Sequence, residues 1–413
     1  MILTDEQKRM YEGEYGPGMQ KAMSMLVEYG NVWDAERMVR VSRGHIGLWS
    51  ELEWIEKMLE GVEQIRIPLA TIHPGYPTAS RLGRAMGLRE ESCQREAKAR
   101  NEKVDLLVSK GCVPTMSCTP FLVGNVPTPG SVFSWPGSMG IVVANSVFGA
   151  KGNRDTFTAA LASAITGVTP DMLLMKRENR YGQVLVRLED LNLESFTLAD
   201  YGALGYYIGG IAKFKNVVID GVPDTVSFDE LKCLLSPMPV SGAVGMSHIV
   251  GVTPEAPTVE EALGHRKPEE TIKVGKKELG ESWESLHTAT KDDVEFVLLG
   301  CPHTSITEIG KIARLLEHKK KADSVRLFVS TAEQIYAVAK RMGYVDIIEQ
   351  AGGLVITDSC VALFPCSELE PPATSTATNS AKAASYLARA GTAIQYGSVE
   401  RCINAAITGK FGG

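Results

Sequence analysis

Three cysteines in this chain stand beside turn-forming residues, where a thiol is available for chemistry. Cys118 is followed by threonine and proline, Cys301 is followed by proline and histidine, and Cys360 comes directly after aspartate and serine. Cys301 and Cys360 also follow apolar, strand-like runs at 294–299 and 353–356. Turn residues keep the backbone and side chains exposed at the surface rather than packed in a core. We therefore hypothesise that these three thiols meet around iron.

Two further roles are open to these thiols. Free cysteine is among the most buried residue types, so each could be an inert core residue. Three thiolates could also bind zinc. The eight cysteines include no C-x-x-C pair, which argues against a zinc ribbon or finger. An iron–sulfur cluster held by three thiolates keeps one iron free of protein ligands, and that iron can polarise a substrate hydroxyl as a Lewis acid.

Composition excludes several classes of protein. A net charge of −6 leaves no basic surplus for general nucleic-acid binding. No apolar run approaches the roughly 18 residues of a membrane span. The N-terminus becomes acidic at Asp5 and Glu6, unlike a signal peptide. We therefore expect a cytoplasmic protein whose cysteines stay reduced.

The last third of the chain has the clearest periodicity. Apolar strand-like runs alternate with helical patterns in the order β-α-β-α-β, over residues 294–299, 305–316, 325–329, 332–341 and 353–356. This alternation predicts a parallel sheet with right-handed crossovers. Cys301 and Cys360 then fall just beyond the carboxyl ends of two strands, the edge at which open α/β sheets bind ligands.

Earlier segments are harder to interpret. Residues 39–47 resemble a strand followed by a loop that displays Ser42, Arg43 and His45, and either a site or a plain β–α connection fits. Residues 89–100 predict a charged helix and 104–108 a strand leading towards Cys118. Residues 264–280 are rich in lysine and glutamate, which indicates an exposed linker or a domain edge.

Two further stretches could bind a carboxylate. Thr378-Asn379-Ser380 would give hydroxyl, amide and backbone donors at a helix start, and Lys382 would add a positive charge. An ordinary helix cap with a solvated lysine accounts equally well for the same residues. Arg154 could hold a carboxylate through two hydrogen bonds, although surface arginines are common.

Motifs over nearly the whole chain resemble the aconitase X family, and specifically its separate large subunit. The matching segments are Gly13-Glu14-Tyr15-Gly16, Ser117-Cys118-Thr119-Pro120-Phe121, Gly124-Asn125-Val126-Pro127, Ala144-Asn145-Ser146-Val147-Phe148-Gly149-Ala150, Gly300-Cys301-Pro302-His303, Asp358-Ser359-Cys360 and Thr378-Asn379-Ser380-Ala381-Lys382. The resemblance implies an aconitase-like, multi-domain α/β subunit with parallel sheets around a central cleft. We expect a helical segment at 1–60, an α/β part at 61–290 and a final α/β domain at 291–413.

The resemblance implies a hydro-lyase that removes water from a small β-hydroxy carboxylate with an iron–sulfur cluster. It also implies roles for individual residues. The cluster ligands would be Cys118, Cys301 and Cys360. The catalytic candidates are His45, His303 and Ser380. The substrate-binding candidates are Ser42, Arg43, His73, Asn145, Ser146, Arg154, Asn379, Ser380 and Lys382.

The resemblance further implies a partner. Members of the family have a small swivelling domain that bears a catalytic serine, either fused or as a separate chain. We therefore expect a small partner subunit that carries the base, and a small-molecule carboxylate as substrate. A non-catalytic, metal-binding subunit is the rival interpretation.

Known substrates of the family are cis-3-hydroxy-L-proline and 5-phosphomevalonate. Residues 68–82 and the loop at 42–46 depart from the segments associated with either subgroup, so they put the substrate in doubt. These loops offer Arg43, His73 and Arg81, which is little positive charge for a phosphate. The sequence therefore favours cis-3-hydroxy-L-proline, with 5-phosphomevalonate as the alternative.

Overall fold

The structure, a computed structural model, describes residues 1–79 and 82–412. Within these ranges the strands form four sheets, and three of the sheets consist of parallel strands only. This arrangement confirms the predicted α/β class. No helix in the described ranges combines the length and the apolar character that crossing a membrane requires.

The N-terminal part places a small parallel sheet among helices. Its elements are α1 (Asp5–Tyr11), α2 (Pro17–Val32), β1 (Met38–Arg40), β2 (Arg43–Ile46), α3 (Leu52–Leu59), β3 (Ala70–Ile72), α4 (Glu90–Ser109), β4 (Phe133–Ser134), α5 (Ser138–Ser146), α6 (Phe157–Thr166) and β5 (Val168–Pro170). Strand β2 lies between β3 and β4, whereas β1 pairs with β5 in an antiparallel ribbon. Helices α2 and α6 share a hydrophobic core with this sheet.

Two predictions for this part were wrong. The predicted loop carrying Arg43 and His45 is strand β2, because neighbouring strands on both sides satisfy its backbone. Only Ser42 lies before the strand. The predicted strand at 104–108 is the end of helix α4, since Val104 and Leu107 are three residues apart and pack on one face into the core.

The central part carries the second parallel sheet. Its elements are β6 (Val184–Leu188), α7 (Leu198–Ala212), β7 (Val217–Asp220), α8 (Phe228–Leu235), α9 (Met238–Gly242), β8 (Ser247–Ile249), α10 (Val259–Ala262), β9 (Glu270–Val274) and α11 (Lys276–Leu286). The strand order is β8-β7-β6-β9. The charged stretch at 264–280 was predicted as a linker or domain edge, and it contains an edge strand, β9. Charged side chains on an edge strand discourage pairing with other chains.

The C-terminal part is a five-stranded parallel sheet. Its elements are β10 (Phe296–Leu299), α12 (Ile306–Leu316), β11 (Arg326–Ser330), α13 (Glu333–Arg341), α14 (Tyr344–Gln350), β12 (Leu354–Ile356), β13 (Ser375–Thr378), α15 (Ala381–Arg389), β14 (Ala393–Tyr396) and α16 (Val399–Thr408). The order is β12-β11-β10-β13-β14, so the predicted β-α-β-α-β run is confirmed and two strands extend it. The domain division at 1–60, 61–290 and 291–413 stays a prediction.

Strand β10 lies at the centre of the C-terminal sheet. Val297 and Leu299 pack into a core on one face, whereas Phe296 and Leu298 pack into a separate core on the other. A strand covered on both faces is apolar without alternation, which explains the continuous hydrophobic run in the sequence. Short 3₁₀ turns connect several elements, at Pro77–Ala79, Pro120–Val123, Leu173–Met175, Arg177–Asn179, Leu193–Ser195, Val361–Leu363 and Cys366–Glu368.

Gly300 ends β10 in a conformation that a side chain would disturb. Its φ is +99°, and an added Cβ would collide with the backbone of Ser330, whose nitrogen and carbonyl carbon would be 2.9 Å away. Gly343 is a matched control, because its φ is +78° and nothing lies within 4 Å of an added Cβ.

We predict that Gly343→Ala costs about 1–2 kcal/mol, the usual penalty of the left-handed region. Gly300→Ala should cost clearly more, because backbone atoms of β11 must also move. Comparing the thermal unfolding midpoints of the two variants with that of the wild type tests this. Equal decreases for both variants would contradict the predicted collision.

Asp155 is a buried carboxyl with incomplete hydrogen bonding. Ser134 Oγ donates to its Oδ2 at 2.6 Å, and its buried Oδ1 has no partner within the described residues. Burial raises the pKa of Asp155 to about 7, against the opposing effect of Ser134. Because the folded pKa exceeds the unfolded value of about 4, this group favours folding below pH ~4, and that contribution is lost as pH rises to about 7.

We predict that Asp155→Asn becomes progressively more stable relative to the wild type between pH ~4 and ~7, by at most about 4 kcal/mol. Unfolding midpoints measured at several pH values test this, with Asp323→Asn as the exposed control. A stability difference that does not vary with pH would show that folding does not raise the pKa of Asp155.

Candidate active site

The carboxyl edge of the C-terminal sheet gathers the three predicted cysteines. Cys301 lies two residues beyond β10, and Cys360 lies four residues beyond β12. The loop carrying Cys118 reaches the same place from the N-terminal part. All three thiols are half-buried, and they are close enough to interact electrostatically with one another.

His303 links the three loops that carry these cysteines. Its backbone N–H donates to Cys118 Sγ at 3.4 Å. In its ring, Nε2 lies 2.9 Å from the carbonyl oxygen of Ser359, and Nδ1 lies 3.4 Å from Ser117 Oγ. The carbonyl only accepts, so Nε2 carries the hydrogen and Nδ1 accepts from the serine. Both ring nitrogens are therefore engaged, which favours a positioning role over the predicted catalytic one.

A buried lysine contacts the backbone of His303. Lys232, on α8, is fully buried, and its Nζ lies 3.4 Å from the His303 carbonyl oxygen. The same ammonium contacts Glu308 and lies 3.2 Å from Asp229 Oδ1. Burial lowers the pKa of Lys232, but the two carboxylates more than offset burial and raise it. Lys232 therefore stays charged and fixes the loop of Cys301 and His303.

Thiolates are the ligands that hold iron–sulfur clusters in proteins. Within residues 1–79 and 82–412, no three His, Cys, Asp or Glu side chains are close enough together to hold one metal ion. Burial raises the pKa of Cys301 to about 12 and that of Cys360 to about 11, and the charge of Lys382 opposes this rise. Metal binding would deprotonate both thiols.

The predicted carboxylate-binding residues lie at the start of helix α15. Lys382 is half-buried and within electrostatic reach of all three thiols. Asn379 is half-buried, and no hydrogen bond to a described residue engages its side chain. Ser380 Oγ caps the helix by accepting from Ala383 N at 3.0 Å, and it donates to the carbonyl oxygen of Cys301. Its hydroxyl is therefore occupied, so its predicted catalytic role has no support from these contacts.

Arg154 faces the same helix. Its Nη1 donates to the Ala243 carbonyl oxygen at 2.9 Å, and the remainder of its exposed guanidinium can receive an anion. Tyr386, one helical turn after Lys382, lies within its electrostatic reach. The structure therefore brings Arg154 towards the helix that carries Lys382.

Strand β2 contributes the predicted residues of the N-terminal part. Arg43 and His45 are two residues apart and share one face of the strand. Arg43 Nη1 donates to the Ser42 carbonyl oxygen at 2.9 Å, whereas its buried Nε has no partner in the described part of the chain. Ser42 Oγ donates to the Val132 carbonyl oxygen at 2.9 Å, so the hydroxyl of Ser42 has a structural role here.

His45 and His73 stand together beside the thiols. Their ring centroids are 5.4 Å apart, and His73 is within electrostatic reach of Lys382 and His303. The loop that carries His73 also touches the Cys360 loop, because Cys360 N donates to the Gly75 carbonyl oxygen at 2.9 Å. Arg81, which the sequence offered for the same loop, lies outside the described residues.

Asn145 and Ser146 are buried in a structural network. The Asn145 amide donates to the carbonyl oxygens of Gly152 and Gly245, and its oxygen accepts from Arg180 Nη1 at 3.2 Å. Ser146 Oγ accepts from the backbone of Ser247. Both side chains are engaged by other parts of the protein, so these contacts do not support their predicted role in substrate binding.

The sequence interpretation missed several residues that organise this region. Lys232 and Arg180 are both almost fully buried, and nothing in their sequence neighbourhoods distinguishes them from surface residues. Trp49 packs edge-on against Tyr76 with ring centroids 4.2 Å apart, forming an aromatic wall next to His73. Asn125 could have been found, because it lies in a motif that carries the family resemblance.

Three comparisons identify the family. Residues 1–177 match the aconitase X first domain, residues 182–284 the second and residues 294–408 the third. The phosphomevalonate dehydratase large subunit of Methanothermobacter thermautotrophicus is 37% identical over 94% of each chain. The cis-3-hydroxy-L-proline dehydratase of Pseudomonas aeruginosa is 28% identical over 96% of this chain and 68% of its own.

A solved structure agrees with these matches. The holo-form of Thermococcus kodakaraensis aconitase X superposes with a TM-score of 0.85 at 30% identity, over 98% of this chain and all of that one. The similar proteins named as dehydratases are hydro-lyases, as the resemblance predicted. Three consecutive domain matches and a shared fold lead to one conclusion. This chain belongs to the aconitase X family.

Proposed function

We propose that this chain is the large subunit of an iron–sulfur hydro-lyase that dehydrates a small β-hydroxy carboxylate. The observation that carries the proposal is the convergence of Cys118, Cys301 and Cys360 beside Lys382. When bound, a cluster with one iron free of protein ligands would supply a Lewis acid for the leaving hydroxyl.

The chain's own side chains would hold and orient the substrate. Lys382, Asn379 and the first backbone N–H groups of α15 present positive charge and donors to a carboxylate. Arg154 adds a guanidinium on the same side. Trp49 packs against both Tyr76 and His73, so these rings would border a substrate held beside His73.

We place the base on a small partner subunit rather than on this chain. Ser380 and His303 have their polar atoms committed to holding loops together. Relatives such as the Methanothermobacter protein are named as large subunits, which implies a second chain. A serine alkoxide on that chain would take the α-proton, and the site would have to stabilise that alkoxide electrostatically beforehand. Eight free cysteines suit a reducing compartment, so we place the enzyme in the cytoplasm.

The first candidate substrate is 5-phosphomevalonate. The higher identity, 37%, is to a phosphomevalonate dehydratase large subunit, and the comparisons do not favour the hydroxyproline preferred from the loop sequences. The described site also leaves cationic groups available for a phosphate as well as a carboxylate. These are the buried Arg43 Nε, the exposed part of Arg154 and Lys382.

cis-3-Hydroxy-L-proline is the second candidate. His73 Nδ1 lies 3.0 Å from the Pro74 carbonyl oxygen, so Nδ1 carries the hydrogen and Nε2 keeps its lone pair. An accepting nitrogen suits the charged imino group of a zwitterion better than it suits a phosphate. This contact lies in the loop whose sequence departs from both subgroups.

We predict that Cys118→Ser, Cys301→Ser and Cys360→Ser each lose iron, brown colour and activity, because two thiolates hold a cluster poorly. Anaerobic purification followed by iron analysis and absorbance spectra tests this. Cys93→Ser and Cys402→Ser are the controls, since both residues lie within helices α4 and α16 and not on the loops that carry the proposed ligands. Full iron content in any of the first three would show that its ligand is misassigned, and a colourless wild type would favour the non-catalytic alternative.

We predict that the large subunit alone is inactive and that mixing it with its small partner restores dehydration. Both acids should be assayed with the reconstituted pair, and turnover of 5-phosphomevalonate should exceed that of cis-3-hydroxy-L-proline. Turnover of hydroxyproline alone would reverse the choice of substrate. Robust turnover by the isolated 413-residue chain would instead place the base within it.

A further inference from the structure

The protonation of His73 is fixed by its own backbone. The Pro74 carbonyl oxygen, 3.0 Å from Nδ1, only accepts hydrogen bonds, so Nδ1 is the protonated nitrogen. Burial lowers the pKa of His73 to about 3, which keeps the ring neutral. Nε2 therefore presents a lone pair, and no described residue hydrogen-bonds to it.

The protonation of His45 is set by two neighbours. Its Nδ1 lies 2.8 Å from Thr71 Oγ1, which also accepts from Asn125 Nδ2 at 2.8 Å. The amide of Asn125 is oriented by the Gly44 carbonyl oxygen, which takes its second N–H at 2.8 Å. Thr71 Oγ1 already accepts from Asn125, and its own hydrogen has no other acceptor among the described residues. We therefore assign that hydrogen to the bond with His45 Nδ1, which puts the hydrogen of His45 on Nε2.

The Nε2–H of His45 is a donor without an acceptor. This atom is buried and has no hydrogen-bond partner in the described ranges, although the residue is only 1% exposed. Burial lowers the pKa of His45, and the nearby backbone of Ser117, which precedes the proposed ligand Cys118, opposes this without meeting hydrogen-bond geometry at Nε2. The ring of His73 stands 5.4 Å away and within electrostatic reach of Lys382. A donor and an acceptor therefore stand side by side at the thiol site.

We infer that Thr71, held by Asn125, is a positioning residue that fixes His45 as a hydrogen-bond donor beside the acceptor of His73. The pair suits a hydroxyl group of the substrate, because a hydroxyl can accept from His45 and donate to His73 in one arrangement. This inference rests on the proposed dehydration and concerns how the same site receives its substrate. It is drawn for 5-phosphomevalonate, the first candidate, because the imino group of hydroxyproline would compete for the same lone pair of His73.

Removing the Thr71 hydroxyl should weaken catalysis through His45. Thr71→Val lets the His45 ring adopt either protonated form, and we expect kcat/KM of the reconstituted pair to fall ~10- to 100-fold, as for residues that orient a site histidine. Thr71→Ser keeps the hydroxyl and should recover most of this loss. If Thr71→Val does not fold, Thr71→Ala serves in its place, with thermal midpoints recorded for all variants.

A double-mutant cycle separates positioning from a structural role. His45→Gln replaces the ring by an amide that keeps an N–H donor and has no alternative protonated form. In that background Thr71→Val should change kcat/KM less than about threefold, a small residual coupling on this scale. An equal loss in both backgrounds would show that Thr71 acts only on the fold and would overturn the inference.

Ring-nitrogen NMR gives a readout that needs no substrate. In the full-length chain, labelled at histidine and freed of iron to avoid line broadening, the signal missing from His45→Gln belongs to His45. We expect a neutral ring protonated at Nε2, and a shift towards the other form in Thr71→Val. A wild-type ring protonated at Nδ1 would overturn the inference and leave the proposed function intact. The expected spectra without turnover of either acid would overturn the proposed function instead.

Discussion

The hydrogen bonds of one histidine, from its backbone and its ring, link the loops of the candidate active site. His303 reaches the Cys118 thiol through its backbone, Ser117 and Ser359 through its ring, and it follows Cys301 by two residues. Each proposed ligand lies on a different loop, and the loops come from distant parts of the chain. No local sequence feature could bring them together, so their relative placement depends on this side chain and on what holds it.

His303 is in turn held by a buried group of paired charges around Lys232. Lys232 is fully buried and would be costly to bury alone, but it is paired with Glu308 and Asp229 and also donates to the His303 carbonyl oxygen. The arrangement connects the central part, through α8, to the C-terminal sheet, through α12. Substituting Lys232 would leave two carboxylates without their shared cation, whereas substituting one carboxylate would leave the ammonium paired with the other.

The sequence predicted the C-terminal sheet well and the N-terminal part less well. A strand such as β10 is apolar throughout because both its faces are covered, and that pattern is visible without a structure. At 39–47 the pattern was ambiguous, because Gly44 and His45 suggest a loop unless partner strands from residues 70 and 133 are known to flank them. Pairing between distant segments is not encoded locally.

The candidate site shows the same limit. The three cysteines and Lys382 could be named from turn residues and family motifs. The sequence could not show which neighbouring side chains have free polar atoms. The hydroxyl of Ser380 is occupied by a contact with residue 301, and the amide of Asn145 by a contact with residue 180. The role inferred for the Thr71 hydroxyl likewise depends on its distance to His45, which the sequence does not show.

One contact between the Gly75 loop and the Cys360 loop bears on how such enzymes diversify. It joins the Cys360 N–H to the Gly75 carbonyl oxygen, so it uses main-chain atoms only. Side chains between residues 73 and 77 can therefore be exchanged during evolution without releasing the loop that carries the third thiol. The side chains around His73 could therefore change while the backbone contact that holds the Cys360 loop is kept.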